Sequence, residues 1–224
     1  MNSPTELVIF DCDGVLVDSE RLAVRVDSAL ITELGWSLTP QDIAQRFVGH
    51  SRQYMREQIE HHLGRPLPDN WQEPFEQAYW ALIDKELTAV DGVRNVIEHL
   101  AVPYCVASNG SHYKMTRSLR RAGLLALFTG RMFSADDVAR PKPAPDLHLH
   151  AAARMGVPPQ HCVVIEDSPF GLEGARTAGM RTFGYTGGVN TAEQLEGPGT
   201  RLFHDMRDLP GLLGDAIVPG ITQR

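Results

Sequence analysis

Cysteine is scarce in this chain, with three in 224 residues: Cys12, Cys105 and Cys162. They cannot all pair, and each lies in or beside an apolar run that reads as a strand. They therefore read as buried thiols in a reducing compartment, the cytoplasm, and not as a disulfide framework or a metal knuckle. Clustered basic charge is missing too. A net charge of −7 argues against a general nucleic-acid or anionic-membrane binder, since both need Lys and Arg gathered together. Anionic small molecules stay open, because one cation and two basic residues can reverse a local field. Long hydrophobic runs are lacking as well. The apolar run after the polar Met1–Glu6 stops at Asp11, so no signal peptide is expected, and no stretch approaches membrane-spanning length. The histidines lack zinc-ligand spacing. His148 and His150 are two apart on a predicted helix and face different ways, while His61 and His62 are adjacent at a polar helix end. No internal repeat and no low-complexity tract is present.

What is there suits a packed α/β protein. Hydrophobic residues make up 42% of the chain and charged residues 22%, a balance that supports a core and argues against disorder. Short β-favouring apolar runs occur at Leu7–Phe10, Tyr104–Ala107, Cys162–Ile165 and Arg181–Tyr185. Each ends in polar or glycine-rich residues, as strands of a parallel sheet buried on both faces do. Helical segments lie between them. Val93, Val96, Ile97 and Leu100 form one helical face, Leu147–Met155 is closed by Gly156, and Ser168-Pro169 opens a helix ended by Gly179. The expected fold is α/β, with a Rossmann-like parallel sheet.

Residues 18–85 break that rhythm and look wholly helical. Leu22, Val26 and Leu30 form one stripe, and Trp71, Phe75, Tyr79 and Leu82 form another. The spacing predicts an all-helical cap domain over 18–85, inserted into an α/β core of 1–17 and 86–224. The aromatic stripe is read as the core of the cap, because helical spacing is what burial requires.

In open α/β sheets, ligands bind beyond the carboxyl ends of the strands. Three predicted strand ends carry Asp11 and Asp13, Ser108, and Glu166 and Asp167, and Lys142 lies in the proline-rich loop Arg140-Pro141-Lys142-Pro143. Singly these are weak signals: a turn, a helix cap or a solvated lysine would explain each. Together they suit phosphoryl transfer. Asp11 and Asp167 offer Mg²⁺ its oxygen ligands, with Glu166 close by. A carboxylate such as Asp11 can attack phosphorus and split one hard step into two. Asp13 shares a face with Asp11 and supplies a general acid. Ser108, Asn109 and nearby amides would hold phosphate oxygens, and Lys142 would balance charge on the phosphate and on the nucleophile. Gly14 permits a tight turn against the ligand.

At this point the sequence resembles a known superfamily. Asp11-Cys12-Asp13-Gly14-Val15-Leu16-Val17-Asp18-Ser19-Glu20, Val106-Ala107-Ser108-Asn109-Gly110, Arg140-Pro141-Lys142-Pro143-Ala144-Pro145-Asp146 and Ile165-Glu166-Asp167-Ser168 look like the four motifs of the haloacid dehalogenase-like (HAD) hydrolases, in order. The match is closest to the helical-cap branch that holds β-phosphoglucomutase, phosphoglycolate phosphatase and sugar-phosphate phosphatases such as 6-phosphogluconate phosphatase. The resemblance implies Asp11 as nucleophile and Asp13 as acid/base. It also implies Mg²⁺ held by the Asp11 side chain, the Asp13 carbonyl and Asp167, with Glu166 assisting. Dehalogenation is not implied, since those members lack the Asp13 equivalent and need no metal.

Two features bear on the substrate. Gly49-His50-Ser51-Arg52 resembles a cap loop that presents an arginine to a distal phosphate, which makes Arg52 a candidate reader of a second anionic group. Asp18-Ser19-Glu20-Arg21-Leu22 is followed by Ala23, without the histidine that β-phosphoglucomutase carries nearby. The expected function is thus a Mg²⁺-dependent phosphatase for a small sugar or sugar-acid phosphate. A phosphosugar mutase is the alternative, and a non-enzymatic regulator on the same scaffold a remote one. The expected partner is a small phosphate ester, with no nucleic acid and no membrane, bound by a monomer or weak homodimer.

Overall fold

Apolar strands of four or five residues need cover on both faces, and that requirement organises the chain. The computed structural model describes residues 4–48 and 52–217, Asp215 by its backbone alone. Its strands are β1 (Leu7–Phe10), β2 (Tyr104–Ser108), β3 (Met132–Ser134), β4 (Cys162–Glu166), β5 (Arg181–Tyr185) and β6 (Thr200–Phe203). They form one parallel sheet in the order β3-β2-β1-β4-β5-β6. The four expected strands are β1, β2, β4 and β5; β3 and β6 were not foreseen. β3 is three residues long, and edge strand β6 exposes Arg201, so neither carries a continuous apolar signal.

The helices are α1 (Ser19–Leu34), α2 (Pro40–Phe47), α3 (Arg52–Leu63), α4 (Glu73–Glu86), α5 (Val93–Glu98), α6 (His112–Arg121), α7 (Leu125–Phe128), α8 (Asp146–Met155), α9 (Pro169–Thr177), α10 (Ala192–Leu195) and α11 (Leu209–Leu213). Side chains alternate across the strands. Leu7, Ile9, Cys105, Ala107, Cys162 and Val164 pack with Leu147, Ala151 and Ala152 of α8 and Ala175 of α9. The alanines let these helices lie close to the sheet. On the opposite face Phe10 meets Phe128 of α7 edge-on, with ring centres 6.5 Å apart. All three cysteines are buried free thiols.

The chain divides into two compact units, Met1–Asp18 with Thr88–Arg224, and Ser19–Leu87. The first holds the sheet. The second holds α1 to α4 and, among the described residues, no strand. Its interior includes Ile31, Ile43, Phe47, Met55, Ile59, Trp71, Phe75 and Ile83. The aromatic stripe is only partly inward: Trp71 lies in the turn before α4, Tyr79 and Leu82 are half-buried, and Ile83 faces in instead. Where the sheet unit gives way to the helical one, the chain is stitched to itself. Asp18 N–H donates to Thr88 O at 3.1 Å and Val90 N–H to Leu16 O at 3.1 Å.

Candidate active site

β1 lies between β2 and β4, where successive strands change from one side of the sheet to the other. Such a switch point leaves a crevice at the carboxyl edge. Phe10 is level with Val106 on β2 and Ile165 on β4, so the residues just beyond these strands become neighbours. Asp11 extends the ladder by donating its N–H to Ile165 O at 2.9 Å. Gly14 then turns the chain at φ 80°, with its N–H on Val17 O at 2.8 Å, and a Cβ on it would overlap the Asp167 carboxylate. Glycine is required there by both backbone and space. Asp11, Glu166 and Asp167 each present an oxygen within 4.8 Å of the others.

Lys142 ties this group together. Its Nζ donates to Asp11 Oδ1 and Glu166 Oε1, both at 2.6 Å, and to Ala107 O at 2.7 Å. An ammonium has three donors, and all three are used. The Lys142 main chain is held in turn by Asn109, whose Nδ2 donates to Lys142 O at 3.0 Å while Oδ1 accepts from Lys142 N at 3.0 Å. Glu166 Oε2 accepts from Ser168 N and Oγ at 3.0 and 2.8 Å. Asn190 Nδ2 donates to Asp167 O at 2.8 Å. Ser108 Oγ accepts from Gly110 N at 3.0 Å, and Lys114 Nζ lies 2.9 Å from Asp13 Oδ2.

The electrostatics call for more positive charge. Burial pushes the Asp11 carboxyl up to about 8, with Glu166 and Asp13 adding to the rise and Lys142 opposing it. Burial works against the Lys142 ammonium, yet Asp11 and Glu166 hold its pKa above the ordinary lysine value. Three buried carboxylates beside one ammonium leave negative charge over, and uncompensated buried charge is costly. Hard oxygen donors with this excess fit Mg²⁺. Asp11 and Asp167 are the side chains suited to hold it, since both Glu166 oxygens already have protein donors.

Seven expected site residues thus meet at one edge of the sheet: Asp11, Asp13, Ser108, Asn109, Lys142, Glu166 and Asp167. Asn109 is turned onto the Lys142 main chain. Arg52 belongs to the helical unit. There its Nη1 donates to Asp27 Oδ1 at 2.9 Å, and its guanidinium lies 5.7 Å from the Phe75 ring centre. Burial raises the Asp27 carboxyl pKa, with Arg52 pulling it down. Gly49, His50 and Ser51 fall outside the described residues. Sequence reasoning passed over Lys114, Asn190 and Asp27. His148 is buried and His150 meets the Phe133 ring, 5.6 Å between centres, so the pair diverges as expected.

Such a centre on such a scaffold defines a carboxylate-centred enzyme of the α/β class. The chain belongs to the haloacid dehalogenase-like hydrolases: that family's model matches residues 5–179. It is 35% identical over 182 residues to 6-phosphogluconate phosphatase of Escherichia coli (strain K12), covering 81% of this chain and 82% of that one. A haloacid dehalogenase-like protein of unknown function from Agrobacterium tumefaciens superposes with TM-score 0.87 at 37% identity, covering 93% and 97% of the two chains. A HAD family hydrolase from Deinococcus radiodurans, solved with bound phosphate and sodium, gives TM-score 0.83 at 28% identity, covering 97% and 99%.

Proposed function

We propose that this enzyme is a Mg²⁺-dependent phosphatase of a sugar or sugar-acid phosphate, working through an aspartyl-phosphate on Asp11. The observation that carries the reading is the Lys142 ammonium shared between Asp11 and Glu166 beside Asp167. A lysine with a fixed main chain and two carboxylate partners orients the Asp11 carboxylate and opposes its protonation, favouring the ionised form that attacks. When bound by Asp11, Asp167 and the Asp13 carbonyl, Mg²⁺ would offset charge on the phosphoryl oxygens.

Asp11 attacks phosphorus, the bond from phosphorus to the sugar oxygen breaks, and Asp13 gives its proton to that departing oxygen. Asp13, now a carboxylate, takes a proton from the water that attacks the aspartyl-phosphate. The bond from phosphorus to Asp11 breaks, inorganic phosphate leaves, and Asp13 is protonated again. Ser108 and loop amides bind the phosphoryl oxygens, and Asn109 serves the same end by holding Lys142.

The substrate class is supported by the name of the Escherichia coli relative. We assign Arg52 to a second anionic group of the substrate; its side chain is 44% exposed while Asp27 anchors it. The same arginine motivates the alternative, a phosphosugar mutase. The acting groups come from one chain, in keeping with a monomer or weak homodimer, and the buried thiols are in keeping with the cytoplasm.

The test is a panel of sugar and sugar-acid phosphates with and without Mg²⁺, on wild type and Asp11→Asn. Release of phosphate that needs Mg²⁺ and falls about a thousandfold or more in the variant is expected. Wild-type rates in Asp11→Asn would overturn the mechanism. Interconversion of glucose 1-phosphate with a bisphosphate activator, followed by ³¹P NMR, would favour the mutase. A chain inert on the whole panel would favour a regulator.

A further inference from the structure

A cation in the first turn of a helix stands where the helix dipole repels it. Lys114 is such a cation. It occupies the first turn of α6, where the Ser111 cap accepts from its amide at 3.2 Å and no acidic residue is present. The helix itself gives no reason for the charge.

The reason lies across the site. Lys114 Nζ is 2.9 Å from Asp13 Oδ2, with the two side chains 30% and 14% exposed. Gly110 keeps the path open. A Cβ there would lie 3.2 Å from Lys114 Cδ, 3.3 Å from Ser108 Oγ and 3.6 Å from Asp13 Oδ2. Gly110 is itself fixed, donating its N–H to Ser108 Oγ at 3.0 Å and accepting from Ser134 Oγ at 2.8 Å. The two aspartates that follow β1 therefore meet different lysines, Lys142 at Asp11 and Lys114 at Asp13.

We propose that Lys114 is a positioning residue for Asp13, fixing the plane of its carboxyl so that the proton reaches the departing oxygen. The proposal rests on the acid/base role given to Asp13 above. A charge-assisted contact to one oxygen of a short carboxyl side chain gives that carboxyl a direction. The effect on rate comes through geometry, where a displacement of about 1 Å can cost about a hundredfold. A partly exposed ion pair, by contrast, adds little to stability.

The leaving group reads this out. A sugar alkoxide departs with a proton, whereas p-nitrophenolate is stable enough to depart without one. The experiment compares kcat/KM, which covers the steps up to departure of the alcohol, for the best sugar phosphate and for p-nitrophenyl phosphate. It uses wild type, Lys114→Met, Lys114→Arg and Asp13→Asn. Lys114→Met is expected to lose about tenfold to a hundredfold on the sugar phosphate and less than about threefold on the aryl ester. Its thermal midpoint should stay near wild type, and Lys114→Arg should restore most of the sugar-phosphate rate. If Lys114→Met slows both esters equally, or neither, while Asp13→Asn still discriminates between them, the positioning role is wrong. If Asp13→Asn itself fails to discriminate, the acid/base role of Asp13 falls first and the proposal falls with it.

Discussion

Asn109 and Lys142 are joined twice through one amide: Nδ2 on the lysine carbonyl and Oδ1 on the lysine N–H, each at 3.0 Å. The ammonium of Lys142 can reach Asp11, Glu166 and Ala107 O together only if its main chain is pinned, and the amide does the pinning. Asn109→Ala should therefore cost about tenfold to a hundredfold in kcat. It should also cost about 1–3 kcal/mol of stability, because two backbone groups lose their partner. Steady-state rates and urea unfolding on the same samples check both.

Cation binding should show in stability as well as in rate. Mg²⁺ that binds only the folded chain adds about 2.7 kcal/mol at a hundred times its Kd. Thermal scans should show the midpoint rising with Mg²⁺ in wild type and hardly moving in Asp167→Asn. Chelation with EDTA should abolish phosphatase activity, and added Mg²⁺ should restore it.

Gly171 tests how tightly Glu166 is packed. Alanine is favoured over glycine inside a helix by about 1 kcal/mol, yet a Cβ at Gly171 would run into the Glu166 carboxylate. Gly171→Ala should therefore destabilise by about 1–3 kcal/mol and slow turnover by moving Glu166 off Lys142. Gly211 in α11 is the control: nothing lies within 4 Å of its would-be Cβ. Gly211→Ala should leave turnover unchanged and stability the same or slightly higher, as urea unfolding will show.

His148 should make the fold acid-sensitive. Both its ring nitrogens are buried without hydrogen-bond partners. Burial, with the Lys142 charge adding to it, holds its pKa well below the ordinary 6.5. The unfolded chain takes up a proton as pH falls past about 6.5 and the folded chain does not. Stability from this group is therefore complete above that pH and declines below it, by about 1.4 kcal/mol per unit, until the folded pKa is reached. Urea unfolding at about pH 7.5 and 5.5 should show a smaller loss in His148→Leu than in wild type. The substitution should also raise stability at neutral pH.

The strand ends were the legible part of the site. Asp11, Ser108 and Glu166-Asp167 each follow or close an apolar run, and a parallel sheet puts such ends on one edge, so composition and order sufficed. Lys142 was legible as a residue but not as a bridge, since nothing in Arg140-Pro141-Lys142-Pro143 says that its ammonium is buried. Asn109 read as a holder of phosphate oxygens, and its grip on a loop thirty-three positions away depends on how β2 and that loop meet. Lys114 left a trace in its unfavourable place at a helix start, but a single misplaced charge is too common to name a partner. β3 and β6 escaped because a three-residue strand and a half-exposed edge carry no continuous apolar run. The helical character of residues 18–85 was plain from periodicity, whereas Asp27, which anchors Arg52, looked like any polar position on α1.

The stitching of Asp18 to Thr88 and of Leu16 to Val90 has a consequence for how this architecture can change. The sheet unit closes its own seam, so everything from Ser19 to Leu87 hangs from two neighbouring points on a finished ladder. Such an attachment lets the hanging segment be lengthened, shortened or exchanged without disturbing the aspartates a few positions upstream. The sheet unit and the helical unit can then drift at separate rates.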